Sequence, residues 1–253
     1  MPAVNYDHSR NLHTVLGART ALTMLFGARP PESMLDVGCG HGTWLRAALD
    51  LGVRDIFGID GAEIADGDFL FPQQFYRAYD LSGAWDLERR FDIAICLEVA
   101  EHLPPEAAPK LIGSLVKHAD LIVFSAAVPG QSGQHHVNCQ WPEYWQKMFN
   151  THGYACSDTL RWVIWDIADI EPWYRQNMFQ AKYSPSEAGK ETRIPGAVHS
   201  EILPTIVLSA VAREKANFIS MIERGEPGPF WYASLLYKAI SAKLIRKLPA
   251  SKR

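Results

Sequence analysis

Apolar residues recur at helical spacing near the start of the chain. The spacing is that of one buried face of a helix. It stops at Arg29, because the two prolines that follow cannot continue a helix. The sequence therefore predicts a helix over residues 10–28 that covers a sheet or caps a ligand site. Its apolar positions are Leu12, Val15, Leu16, Leu22, Leu25 and Phe26.

Short apolar runs with the character of buried strands follow this helix. They lie at 33–37, 55–59, 75–79, 91–97 and 120–127. Helical patterns separate several of them, at 44–51 and around 106–117. A further helix over 141–152 precedes two more apolar runs, at 154–160 and 176–183. Strands that alternate with helices form parallel sheets, so the sequence predicts an α/β fold.

The composition changes after residue 183. Serine, proline, glycine and charged residues fill 184–190, and two helical patterns follow, at 201–223 and 231–248. The sequence therefore predicts two parts, a core over 1–183 and a helical extension over 184–253.

The last predicted helix is basic and amphipathic. Such a helix packs on its own domain or across a homodimer, or it binds a membrane or another partner. We expect packing, with a homodimer through these helices, because cations near a helix C-terminus suit the helix dipole. The cations Lys238, Lys243, Arg246 and Lys247 lie opposite Leu235, Leu236, Ile240 and Leu244.

Glycines at alternate positions follow the first predicted strand. They are Gly38, Gly40 and Gly42, and Asp36 precedes them. Glycine allows a sharp turn and the close approach of a ligand, and the helix that follows offers unpaired N–H groups. The third glycine comes one residue earlier than in the G-x-G-x-x-G of dinucleotide sites, and the segment is not a P-loop.

Acids also end the next two predicted strands. Asp60 follows Asp36 by 24 residues. An acid about 20 residues beyond the glycine turn is where a ribose-binding carboxylate is expected. The third strand ends in the pair Asp80 and Leu81.

These segments resemble the motifs of the class I S-adenosylmethionine-dependent methyltransferases. The segment 91–103 resembles motif IV of that family, with Glu98, Glu101 and His102 in a Glu-x-x-Glu-His pattern. The resemblance implies a Rossmann-like, doubly wound sheet of seven mostly parallel strands, whose last two strands form an antiparallel edge. It also implies S-adenosylmethionine as the cofactor.

The resemblance further implies roles for individual residues. Asp36 faces the amino-acid portion of the cofactor, and Gly38 and Gly40 pack beneath it. Asp80 approaches the adenine amino group, and Leu81 flanks the ring. Glu98 faces the cofactor.

The composition narrows the class of protein. The chain has 253 residues, 47% hydrophobic and 21% charged, and a formal net charge of −3. This charge does not favour nucleic acid as a partner. No apolar run reaches the roughly 20 residues that span a bilayer. The four cysteines are scattered, without a paired motif, so we expect reduced thiols in a cytoplasmic protein.

A histidine pair follows the fifth predicted strand and offers a catalytic base. His135 and His136 lie in a glycine-bearing loop, and imidazole has the right pKa for a base near neutrality. Val137 indicates that the chain re-enters packed structure there, so we favour His136. The alternative is that both histidines only form hydrogen bonds within the loop.

The acids of motif IV offer a metal site. On a helix, Glu98, Glu101 and His102 share one face, and with His136 they form a nitrogen and oxygen site for a divalent cation. The pattern resembles that of metal-dependent small-RNA 2′-O-methyltransferases and some quinone-pathway O-methyltransferases. In other relatives Glu98 faces the cofactor and His102 braces the helix.

An aromatic stretch lies before the last predicted strand. Together with this stretch, Tyr144 and Trp145 could form the walls of a pocket for the methyl acceptor. Arg175 could bind a carboxylate or phosphate of that acceptor. The alternative is that these side chains belong to the core or to a dimer interface.

The sequence thus predicts a methyltransferase acting on an oxygen of a small sugar-like or natural-product metabolite. Alternatives are a small amine as acceptor, metal-dependent 2′-O-methylation of RNA, and a non-catalytic cofactor-binding partner protein. An NAD-dependent oxidoreductase is disfavoured by the glycine spacing.

Overall fold

The computed structural model describes residues 14–61, 64 and 67–247, with side chains described as far as residue 240. The predicted helix start at 10–13 lies outside these residues. The strands are β1 (Ser33–Val37), β2 (Asp55–Asp60), β3 (Tyr76–Ala78), β4 (Ile93–Leu97), β5 (Leu121–Ser125), β6 (Tyr154–Ser157) and β7 (Phe179–Tyr183). The α-helices are α1 (Val15–Phe26), α2 (Thr43–Asp50), α3 (Ala108–His118), α4 (Pro142–Thr151), α5 (Thr159–Ile164), α6 (Pro172–Asn177), α7 (Leu203–Glu223) and α8 (Pro229–Lys247).

The strands form one seven-stranded sheet in the order β3-β2-β1-β4-β5-β7-β6. Strands β1 to β5 pair in parallel, whereas β7 is antiparallel to both β5 and β6. The chain order runs outwards from β1 in both directions, so a ligand crevice is expected at the carboxyl ends of β1 and β4. The predicted α/β class and doubly wound sheet are confirmed.

Both faces of the sheet are covered by helices. In β4, Ile93 and Ile95 pack in one core with α1, α2 and α5, whereas Ala94 and Cys96 pack in the other core with α3 and α4. Because both faces are buried, the strands read as continuous apolar runs rather than as alternating patterns. This explains why their positions could be predicted from the sequence.

The N-terminal helix covers the sheet, which is one of its two predicted roles. It begins after Thr14, whose hydroxyl accepts a hydrogen bond from the Gly17 amide at 2.9 Å. The Thr14 amide donates to Glu171 at 2.6 Å. Ala18 and Leu22 are buried in the same core as α2.

The last two strands are shorter than predicted. The run at 154–160 leaves the sheet at Ser157, and α5 then buries Leu160 and Ile164 on one helix face. The predicted strand at 176–183 begins only at Phe179, because the two residues before Met178 end α6. A short apolar run is compatible with either element, and here the helix prevails at each boundary.

The segment after β7 packs on the core. Glu191 Oε1 accepts hydrogen bonds from Gln146 and Asn150 of α4, at 3.0 and 2.6 Å. Burial raises the pKa of Glu191, but these bonds outweigh burial and lower the pKa to about 2.

The chain divides into two compact units after Ile206. The structure thus differs from the predicted boundary at residue 183, since 184–206 belong to the first unit.

The second unit contains α8 and most of α7, which belong to the predicted helical extension. The rings of Phe218 in α7 and Trp231 in α8 have centroids 6.1 Å apart, and the Tyr232 hydroxyl donates to the Ile222 carbonyl at 2.8 Å. These contacts join the helices as a hairpin. None of the described helices combines the length and apolar character needed to cross a membrane. The homodimer through these helices stays a prediction.

Candidate active site

The loop between β1 and α2 requires glycine at two positions. Gly38 and Gly42 have φ of +81° and +86°, where other residues are strained. A Cβ at Gly38 would lie 2.2 Å from Val99 Cγ2, and one at Gly42 would lie 2.0 Å from Phe71 Cδ1. The backbone therefore approaches the loop after β4 at Gly38, and the segment between β2 and β3 at Gly42, more closely than any side chain permits.

Two acids flank this glycine loop. Asp60, at the end of β2, accepts a hydrogen bond from the Gly40 amide at 2.8 Å. Asp36 is 2% exposed, and its Oδ2 has no hydrogen-bond partner among the described residues. Burial first, and then the charge of Asp60, raise the pKa of Asp36 well above its usual range. A buried acceptor of this kind suits a ligand that brings a cationic N–H group.

The end of β3 brings a third acid to the same edge of the sheet. Asp80 is exposed, and its Oδ1 accepts hydrogen bonds from the Ser82 hydroxyl and amide at 2.6 and 2.9 Å. These bonds, the hydroxyl first, lower the pKa of Asp80. Leu81 is 4% exposed and packs in the core with α3 and α4.

Glu98 leaves the end of β4 in a left-handed conformation, with φ of +55°. Its amide donates to the carbonyl and the hydroxyl of Ser125 at the end of β5, at 3.0 and 3.1 Å. These bonds hold Glu98 outside the helix, and only Ala100–His102 form a 3₁₀ turn. The prediction that Glu98, Glu101 and His102 share one helix face is therefore wrong.

Two amide side chains bind the Glu98 carboxylate and a third binds those two; we call the three the amide clamp (Gln131, Gln176 and Asn177). Asn177 Nδ2 donates to both carboxylate oxygens at 3.1 and 3.2 Å, and Gln131 Nε2 donates to one at 3.0 Å. Gln131 Oε1 accepts from Gln176 and Asn177 at 3.1 and 3.0 Å. The clamp therefore holds the carboxylate in one orientation.

None of the clamp residues was predicted as functional. Gln131 comes from the loop after β5, whereas Gln176 and Asn177 end α6, and no spacing in the sequence joins them. The one usable signal is the presence of two adjacent amides, Gln176 and Asn177, between aromatic and apolar residues and directly after Arg175; both amides are at most 2% exposed. Buried amides of this kind are expected to be hydrogen-bonded.

Glu101 forms a carboxyl pair with Glu98. It is fully buried, and its Oε1 accepts from the Ala127 amide at 3.1 Å. Burial first, and then the charge of Glu98, raise the pKa of Glu101 well above its usual range, and burial raises the pKa of Glu98. Because two neighbouring buried carboxyl groups do not ionise independently, the pair retains a proton towards neutral pH.

Two histidines complete the cluster. The rings of His102 and His136 have centroids 5.0 Å apart. Burial, and then the charge of His136, lower the pKa of His102 to about 4, and burial lowers the pKa of His136. His136 Nδ1 lies 3.1 Å from the Gln131 carbonyl oxygen, which can only accept a hydrogen bond. Nδ1 therefore carries the hydrogen, and Nε2 keeps its lone pair.

His135 and His136 differ in their surroundings. His135 is exposed, with φ of +50°, whereas His136 is partly buried. The prediction that the chain re-enters packed structure at Val137 is wrong, because Val137 is 60% exposed. The chain re-enters packed structure at Asn138, which is 2% exposed and whose amide donates to the Glu101 carbonyl at 3.0 Å.

Part of the predicted metal set comes together. Glu101, His102 and His136 each offer a ligand atom, and these atoms lie within 4.8 Å of one another. Glu98 is not in this group, and its two oxygens accept hydrogen bonds from Asn177 and Gln131. The predicted set of four is thus corrected to three.

Two of the residues that were predicted to contact the methyl acceptor instead stabilise the fold. Trp145 is 1% exposed, and its ring centroid lies 5.2 Å from that of Phe124 in the core. Arg175 is 3% exposed and donates to Glu201 at 2.8 Å and to the Trp165 carbonyl at 3.3 Å. Because Trp145 is buried in the core, it cannot contact an acceptor molecule. The Arg175 guanidinium is already occupied by hydrogen bonds to Glu201 and Trp165.

Tyr144 differs from these two residues because it is only partly buried. Its ring centroid lies 4.9 Å from that of Trp145. Tyr144 therefore remains a candidate for contact with the acceptor.

The family model described as a methyltransferase domain matches residues 8–167. The chain belongs to this family. The predicted class, a class I S-adenosylmethionine-dependent methyltransferase, is confirmed in place of the NAD-dependent alternative.

Individual relatives match parts of this chain. A ribosomal protein L11 methyltransferase from Laribacter hongkongensis (strain HLHK9) is 33% identical over 104 residues, 40% of this chain and 34% of that protein. The chain thus spans about a third of the length of the curated relative it matches.

Among solved structures, the DhpI–SAH complex has a TM-score of 0.47 at 16% identity, over 66% of this chain and 84% of that chain. The sugar N-methyltransferase KedS8 from Streptoalloteichus sp ATCC 53650 has a TM-score of 0.47 at 14% identity, over 70% and 90%.

Replacing Asp60 tests the role of the glycine loop. Asp60→Ala removes the acceptor that holds the Gly40 amide, so we expect the Kd for S-adenosylhomocysteine to rise about tenfold or more. Asp60→Asn is the matched control, because its amide oxygen can still accept from Gly40, and a smaller rise is expected. Calorimetric titration measures both, and an unchanged Kd for Asp60→Ala would contradict this role.

Proposed function

We propose that this protein transfers the methyl group of S-adenosylmethionine to a hydroxyl oxygen of a small, sugar-like or natural-product metabolite. When bound, the cofactor supplies an electrophilic methyl group. The observation that carries the proposal is a neutral imidazole, His136, near a buried carboxyl pair at the crevice between β1 and β4. A hydroxyl acceptor must lose a proton during transfer, and this cluster can take it.

The glycine loop and its acids would bind the cofactor. Asp36 would offer its unpartnered Oδ2 to the cofactor ammonium group, and the turn at Gly38 and Gly40 would pack beneath the cofactor. Asp60 would accept from the ribose hydroxyls, Asp80 from the adenine amino group, and Leu81 would flank the ring. The orphaned oxygen of Asp36 supports this fit.

His136 would be the general base. Its Nδ1–H donates to the Gln131 carbonyl, which orients the ring and leaves Nε2 to take the proton of the acceptor. The Glu98–Glu101 pair keeps one negative charge when it shares a proton, and with a Glu101 oxygen within 4.8 Å of a His136 nitrogen this charge would stabilise the imidazolium that results. Glu98, held by the amide clamp, would face both the cofactor and the acceptor.

The character of the acceptor is inferred from charge. The formal net charge of −3 disfavours RNA, whose phosphates bind basic surfaces. A small amine needs less help from a base, so the neutral His136 favours a hydroxyl. A non-catalytic binding partner would have no chemical need for this buried cluster.

Replacing His136 tests its role as the base. We expect His136→Ala to lower kcat about 100-fold or more while leaving the Kd for S-adenosylhomocysteine nearly unchanged. In the parent protein kcat/KM is expected to fall only below about pH 6.5, because the pKa of His136 lies below its ordinary value and the neutral form is active.

The matched control for this variant is His135→Asn. His135 is exposed, and asparagine tolerates its positive φ, so we expect full activity. Full turnover of His136→Ala with a hydroxyl acceptor would show that another group is the base.

The same cluster favours a second candidate, transfer assisted by a divalent cation. Glu101 and the neutral imidazoles of His102 and His136 form a nitrogen and oxygen ligand set with suitable spacing. A cation there would lower the pKa of the acceptor hydroxyl.

Metal removal distinguishes the two candidates. If a cation is required, the purified protein contains it by elemental analysis, chelation abolishes turnover, and His102→Ala lowers the metal content. If turnover survives chelation in protein without bound metal, the second candidate is excluded and His136 acts alone.

A further inference from the structure

The two units of the chain differ sharply in charge. Residues 207–253 contain nine lysines and arginines but only three acids, whereas the whole chain has a formal net charge of −3. The helix α8 contains no acidic residue. The second unit is therefore a basic segment of an otherwise acidic protein, and charge asymmetry of this kind indicates an anionic partner.

The same segment exposes large apolar side chains. We call its helices and their connection the terminal hairpin (residues 207–247). In α7, every residue of which is described, no side chain is buried. The most exposed apolar residues of the hairpin are Leu208 (68%), Val211 (58%), Phe230 (90%), Leu236 (62%) and Tyr237 (72%).

Among the side chains that the structure describes in the hairpin (residues 207–240), one face of α8 has no partner. Trp231 and Tyr232 contact α7. Phe230, Tyr237 and Ile240 are spaced seven and three residues apart, so they share another face, and each is at least 51% exposed. Aromatic and aliphatic side chains therefore line a surface with lysines nearby in the sequence.

We propose that the terminal hairpin docks on the surface of an anionic lipid bilayer. A basic amphipathic helix with aromatic residues on its apolar face lies in the plane of the interface, where apolar burial and attraction to acidic headgroups act together. Charge complementarity favours this occupant. The acidic headgroups of an anionic bilayer would neutralise the cations of the hairpin, and its acyl region would bury the exposed apolar side chains.

A second copy of the chain fits this surface less well. In a two-fold dimer the same patch meets itself. The basic hairpins would then face each other with nine cations against three acids on each copy. Such like-charge contact opposes association, whereas anionic headgroups neutralise it. The phosphates of single-stranded RNA would neutralise the cations, but RNA would leave the aliphatic side chains exposed.

Vesicle co-sedimentation of the full-length protein tests this proposal. We expect binding to vesicles of equal parts phosphatidylglycerol and phosphatidylcholine to exceed binding to pure phosphatidylcholine about tenfold, and to weaken with added salt. The double variant Phe230→Ser with Tyr237→Ser should lose about tenfold in partition coefficient. Val163→Ser, at a residue 55% exposed in α5, is the matched control and should bind as the parent does.

The variants also need a test of folding and of competing partners. An unchanged melting temperature and unchanged affinity for S-adenosylhomocysteine would show that the double variant is folded. The proposal is overturned by equal binding of the double variant and the parent, or by absence of binding to anionic vesicles. Binding of an RNA oligonucleotide without vesicle binding would also overturn it. So would a dimer that the parent protein and the Val163→Ser control form and the double variant does not.

Discussion

The close approach of the Gly38 backbone to the Val99 side chain is the constraint on which the rest of the site depends. With only 2.2 Å between an added Cβ and Val99 Cγ2, no other residue fits at this position without a shift. Val99 directly follows Glu98, so this contact sets the loop after β1 against the loop after β4. The proposed cofactor residues and the proposed catalytic cluster are therefore positioned by the same packing.

Burial of acids gives the site its chemical character. Asp36 and Asp60 lie beside each other at the glycine loop, and Glu98 and Glu101 form a second pair one strand away. In each pair burial raises the pKa of at least one carboxyl group. Unpaired buried carboxylates are costly, and the structure compensates with backbone amides and the amide clamp. The same burial keeps the nearby histidines neutral.

The strands and the glycine loop could be predicted because their signals are local. Buried strands appear as apolar runs, and the spacing of Gly38, Gly40 and Gly42 is contiguous in the sequence. Glu98 could not be placed, because its left-handed backbone depends on hydrogen bonds to Ser125 in a different strand. The roles of Trp145 and Arg175 depend on Phe124 and Glu201, distant in the chain, and residue type alone did not separate an acceptor wall from the core.

The central claim is that the crevice between β1 and β4 binds S-adenosylmethionine through the glycine loop. Its most direct test is a calorimetric titration of the purified protein with S-adenosylhomocysteine, with NAD as the control ligand. The structure predicts micromolar affinity for S-adenosylhomocysteine and no measurable heat with NAD. Absence of binding, or a preference for NAD, would contradict the assignment of the glycine loop and every role that rests on it.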